Sequence, residues 1–180
     1  MKIIIAYPPL NSQKGIPLLS QNRQFQYFKE PTYIYPVVPA QAATLLKQAG
    51  YEVIWLDCIA EDISYKRFIE IIQQEKPDLI AMETKTPVVK QHWKIINEIK
   101  GLPPKGAVPK IVLCGDHVTA LPEESFQNSK VDFVLIGGDY DFLLLNLCNT
   151  IKGLSPTKAI TGNSKGTVPY CFSSLEPGIY

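Results

Sequence analysis

One stretch concentrates residues that can do chemistry. "KIVLCGDHVTALPEES" (residues 110–125) carries an apolar run into Cys114-Gly115-Asp116-His117 and then into a polar segment with the composition of a helix start. A histidine beside an aspartate can ligate a metal, move a proton, or simply complete a turn. Residue types alone leave the three open, and what else reaches the same place must decide.

The elements that would position this stretch are legible. Short, continuous apolar runs recur at residues 2–7 (KIIIAY), 52–57 (EVIWLD), 78–83 (DLIAME), 110–115 (KIVLCG) and 132–137 (DFVLIG). Runs of this length that do not alternate are expected of strands buried on both faces, as in a parallel sheet. Helical segments fall between them at 39–50, 64–77 and 87–101, ending at Gly50, Pro77 and Gly101, and another follows at 139–153 with Asp139 placed to cap it. The alternation predicts an α/β, flavodoxin-like three-layer sandwich with a five-stranded parallel sheet in the order 2-1-3-4-5, plus a small C-terminal extension. The connection from Tyr7 to about Val38 is too long for an ordinary strand-to-helix loop. Its many aromatics, Phe25, Tyr27, Phe28, Tyr33 and Tyr35 among them, predict a segment ordered against the rim or a neighbouring domain. Residues 158–172 suggest a small hairpin.

In such a sheet a ligand lies beyond the carboxyl ends of the strands. That rule gathers Pro8 and Pro9 after the first strand, Glu83, Lys85 and Thr86 after the third, Gly115, Asp116, His117 and Thr119 after the fourth, and Gly137, Gly138, Asp139 and Tyr140 after the fifth. The paired glycines suit either close backbone approach to a ligand or a tight turn. Asp139 and Asp141 disfavour a polyphosphate, and a neutral, amide-decorated ligand suits the rim better. Lys85 pairs with Glu83, meets an anionic group, or is a solvated loop lysine. His92, inside a helical segment, reads as a packed or surface histidine, and Asp57 falls at the sheet edge.

Composition narrows the classes. With 180 residues, 46% of them hydrophobic, a formal net charge of +1 and 19% charged residues, the chain can close one core and lacks a basic field for nucleic acid or an anionic membrane. The N-terminal apolar run is too short for a signal-peptide core, and no run reaches spanning length, which predicts a cytoplasmic protein. Cys58, Cys114, Cys148 and Cys171 form no CxxC pair and read as buried thiols rather than metal ligands. No nucleophile elbow, GxGxxG or P-loop is present, so no side-chain catalysis is specified and no metal site is predicted.

Taken together, "YPPL", "PAQAATLLKQAGYEVIWLD", "KPDLIAMETKTP", "IVLCGDHVTALPEES" and "VDFVLIGGDYDFLLLNL" resemble, in matching order over residues 1–153, the N-terminal cobalamin-binding domain of cobalamin-dependent radical SAM proteins. The resemblance implies a corrin held over the carboxyl ends of the strands. It also implies a second, C-terminal radical SAM domain carrying the CxxxCxxC motif for a 4Fe-4S cluster and S-adenosylmethionine. CxxxCxxC is absent here, so residues 154–180 would be a linker or hairpin toward that domain, and methyl transfer or related radical chemistry would belong to the longer protein. The chain departs from the family pattern at Cys114-Gly115, at Glu83, and at Gly137-Gly138-Asp139-Tyr140. Cobalamin domains of the methionine synthase kind ligate cobalt through a DxHxxG histidine after the first strand. That loop here is "YPPLNSQKG", with no histidine, and His117 follows a different strand. The alternatives are a flavodoxin-like module for another ligand, such as a nucleotide or flavin, and a ligand-free interaction domain.

Overall fold

In the computed structural model, residues 1–10, 12–19, 25–30, 34–102, 108–138 and 140–154 are described, together with the backbone of 171–173. Five strands run parallel: β1 (Lys2–Tyr7), β4 (Glu52–Asp57), β5 (Leu79–Glu83), β6 (Lys110–Cys114) and β7 (Phe133–Leu135). Two very short strands, β2 (Ile16–Pro17) and β3 (Tyr27–Phe28), form a separate antiparallel pair within the long first connection. The main sheet has the order β4-β1-β5-β6-β7-β8, so its parallel part follows the expected 2-1-3-4-5. The sixth strand, β8 (Cys171–Ser173), adds antiparallel to β7; it begins inside the hairpin expected at 158–172, the rest of which lies outside the described residues.

Strand alternation divides the core into two layers. On β1, Ile3 and Ile5 face one side and Ile4 and Ala6 the other, because successive side chains point to opposite faces. The first side packs against α1 (Val37–Gln48) and α6 (Tyr140–Ile151) through Ala42, Leu46, Leu143, Leu144 and Leu147. The second packs against α2 (Tyr65–Glu75) and α3 (Val89–Gly101) through Phe68, Ile72, Trp93, Ile96 and Ile99. Burial on both faces is why these strands read as continuous apolar runs rather than alternating ones.

Local signals explain the helix limits. Ser64 caps α2, its hydroxyl accepting from Arg67 N–H, and the helix stops at Lys76, whose φ of 48° is left-handed, just before Pro77. After β6 the chain makes two short helices, α4 (Asp116–Ala120) and α5 (Pro122–Asn128), broken at Leu121 because the residue before a proline avoids helical backbone. The proposed Asp139 cap on α6 lies outside the described residues.

In the first connection, Leu18 and Leu19 are buried and Phe25 packs on the cluster of Tyr7, Leu19 and Val88. Tyr35 stands 73% exposed, so the rim does not bury it, and Tyr33 lies outside the described residues. Cys58, Cys114 and Cys148 are free and buried. Among the described residues no helix is long and apolar enough to cross a membrane.

Candidate functional site

The carboxyl ends of β1, β5 and β6, with the loop leaving β7, open onto a cleft of about 400 Å³. Its floor and far wall carry Tyr7, Glu83, Lys85, Gly115, Asp116, Gly137, Gly138 and Tyr140, while Ile34 and Pro36 to Pro39 close the near side. Seven of these were expected from the strand-end rule. Tyr7 and the 34–39 segment were not. Tyr7 hides as the last residue of an apolar strand, and the only sequence signal for the near wall is the unusual Pro and Tyr content of residues 31–40.

A polar chain crosses the floor. The Tyr7 hydroxyl donates to Glu83 Oε2 at 2.7 Å. Lys85 Nζ lies 3.5 Å from Glu83 Oε1 and 3.3 Å from Asp116 Oδ2, and Lys85 is only 5% exposed, so it is no solvated loop lysine. Burial pushes the Glu83 carboxyl upward from its usual range, against the opposing pull of Tyr7 and Lys85. Burial also raises the Tyr7 and Tyr140 phenols far above theirs, which keeps both as neutral O–H donors. Tyr140 is buried and its hydroxyl finds no partner among the described residues. An unmet buried hydroxyl costs about 1 to 3 kcal/mol, so a group that reaches it gains by doing so.

In the loop after β5, alternate side chains take opposite directions before the chain turns at 86–88. Glu83 and Lys85 line the cleft, whereas Thr84 and Thr86 turn to two histidines behind it. Thr84 Oγ1 lies 2.9 Å from His92 Nδ1, and Thr86 Oγ1 lies 3.2 Å from His117 Nδ1. His92 is fully buried, and desolvation pulls it down to about 4, so it is neutral. His117 is 4% exposed, sits edge-on to Trp93 at 5.9 Å, and brings Nε2 to 3.0 Å from Glu124 Oε2. It packs α4 against α3 and α5 and is not among the cleft-lining residues.

Of the other expected residues, Thr119 acts as a latch: its hydroxyl donates to Gly115 O at 2.9 Å and accepts from Gly137 N–H at 3.2 Å. Pro8 is buried and Pro9 half-buried, and neither lines the cleft. Asp139 lies outside the described residues. The glycines divide by role. A Cβ on Gly115, whose φ is 110°, would stand 2.4 Å from Thr84 O, so strand packing alone demands glycine there. A Cβ on Gly138 would meet nothing within 4 Å, so only whatever occupies the cleft would notice it.

A second cavity, also about 400 Å³, adjoins the first through Tyr7, Ile34 and Pro36 and runs over β4, between Leu18, Leu19, Trp55 and Ile59. Asp57 lines it at the sheet edge, its carboxyl raised by burial. The two cavities make a trough longer than either. Open glycine edges, an unmet hydroxyl and a single neutralised cation fit a large, uncharged, amide-bearing face better than a phosphate. Among the described residues no cluster of His, Cys, Asp or Glu is arranged to hold a metal ion.

Comparison with known proteins identifies the same fold. Two solved structures of the radical S-adenosylmethionine methyltransferase TsrM from Kitasatospora setae share the fold. One, with tryptophan substrate and the SAM analog aza-SAM bound, superposes with a TM-score of 0.60 at 18% identity over 86% of this chain and 26% of its own. The other, with cobalamin and a [4Fe-4S] cluster bound, gives 0.58 at 18% over 91% of this chain and 29% of its own. The chain thus spans somewhat over a quarter of the length of these structures. No curated protein matches it in sequence. The family model described as the B12 binding domain matches residues 32–143, which take in α1, the parallel strands after β1 and every loop of the cleft beyond Tyr7. With well over half of its length covered, the chain belongs to the B12-binding domain family.

Proposed function

We propose that this chain is the cobalamin-holding module of a cobalamin-dependent radical SAM enzyme, a cradle without catalysis of its own. The observation that carries it is the trough over the carboxyl ends of the parallel strands, edged by Gly137 and Gly138 and floored by Tyr7, Glu83 and Lys85. Bound cobalamin supplies a cobalt centre able to carry a methyl group. The chain's own residues bind and orient. The glycine edge admits a bulky face, Lys85 is held between Glu83 and Asp116, and Tyr140 offers an O–H that has no partner among the described residues. The cofactor contacts are assigned to Glu83, Lys85, Gly115, Asp116, Gly137, Gly138 and Tyr140, with Thr86, His117 and Thr119 behind them. A 4Fe-4S cluster and S-adenosylmethionine would be held by a further domain, with residues 154–180 as the connection.

The test is titration of the 180-residue chain with hydroxocobalamin, followed by the shift of the corrin absorption band. Saturable binding with one equivalent is expected, and no band shift or retention would sink the reading. The same complex tests His117. Because its ring faces Thr86, Trp93 and Glu124 rather than the cleft, His117→Ala should leave the cobalt(II) electron paramagnetic resonance spectrum unchanged. Strong nitrogen hyperfine splitting that vanishes in the variant would make it a ligand.

A further inference from the structure

The charges on the cleft floor bear on which corrinoid it accepts, given the cobalamin reading above. Lys85 is the only lysine or arginine lining the cleft among the described residues, and it is shared between Glu83 and Asp116. Two carboxylates and one ammonium leave the floor one charge negative. Glu83 is the inner of the two, its side chain 12% exposed against 74% for Asp116, and one of its oxygens is held by Tyr7. On the lining of the same cleft, the Tyr140 hydroxyl is an O–H donor with no partner among the described residues.

A primary amide meets this set on both sides. Its N–H groups donate to carboxylate oxygen, and its carbonyl accepts from a phenol. A carboxylate in the same place offers acceptors only and sets like charges together in a half-enclosed site, with no cation left to compensate. We propose that Glu83 is a specificity-determining residue, through which the cleft takes corrinoids bearing peripheral amides and rejects those in which a facing amide is a carboxylate. Tyr140 supplies the complementary donor.

The experiment compares hydroxocobalamin with its singly hydrolysed monocarboxylic acids, which differ at one peripheral group and keep the rest, by absorbance titration at neutral pH. At least one isomer is expected to bind the wild type on the order of tenfold more weakly than hydroxocobalamin, the size of a close like-charge contact at a partly screened site. In Glu83→Gln, whose amide can still accept from Tyr7, that penalty should fall to about threefold or less. Asp116→Asn, at a side chain that is 74% exposed, should reduce it in part and guards against a misfolded Glu83 variant. Equal binding of every isomer by the wild type would overturn the proposal, and so would a penalty that a folded Glu83→Gln protein leaves undiminished or, should that variant not fold, one that Asp116→Asn leaves undiminished. Failure of hydroxocobalamin itself to bind would instead remove the cobalamin reading, and this inference with it.

Discussion

Gly115→Ala is expected to destabilise the fold by about 2 to 5 kcal/mol, whether or not any ligand is present. Two costs add. Gly115 has φ 110° and ψ −176°, a region that side chains essentially never enter. The new Cβ would also stand 2.4 Å from Thr84 O and 3.2 Å from Glu83 Cγ. Relief requires β5 and β6 to separate where Thr84 N–H donates to Cys114 O at 2.8 Å, the last rung of that parallel pair. Urea unfolding followed by circular dichroism should show a lower midpoint with an unchanged slope. Gly137→Ala is the control, because its φ is 108° but its Cβ would meet nothing within 4 Å. It should lose clearly less. Equal losses in the two variants would show that crowding against Thr84 contributes nothing.

The contrast between these glycines shows where sequence reading succeeds and where it stops. The parallel sheet is legible because burial on both faces forces continuous apolar runs such as Ile3 to Ala6 and Ile111 to Leu113, and its order follows from helical crossovers. Most of the cleft floor is legible by the same route, since loops at strand ends must converge on one edge. What escapes is whatever depends on side-chain direction or on very short pairings. The strands Ile16–Pro17, Tyr27–Phe28 and Cys171–Ser173 are held by partners distant in sequence rather than by a local pattern. His117 sits in the right loop yet turns inward, because a five-residue helix rotates successive side chains by about 100°. Asp116 faces the cleft and His117 faces Trp93. Tyr7 escapes for the opposite reason: as an aromatic closing a strand it reads as core, and its hydroxyl shows its role only once Glu83 is found 2.7 Å away.

Gly138→Val should abolish most cofactor binding while leaving the fold intact. Gly138 is exposed at the cleft wall, does not adopt a positive φ, and would place a Cβ with no heavy atom within 4 Å. The protein therefore has no reason to resist the change, and circular dichroism and urea midpoint should match the wild type. A bulky ligand seated on that edge would meet two new methyl groups at the cleft wall. Overpacking of this kind costs about 1 to 3 kcal/mol, and several atoms clashing at once put the expected loss of hydroxocobalamin affinity above about thirtyfold. Thr119→Ala is the matched comparison. Its hydroxyl is already engaged by Gly115 O and Gly137 N–H, so removal loosens the latch without blocking the cleft, and a change within about fivefold is expected. Unchanged binding by a folded Gly138→Val protein would place the corrin away from this edge, whereas a larger loss in Thr119→Ala than in Gly138→Val would make loop order, rather than open space, the requirement at the site.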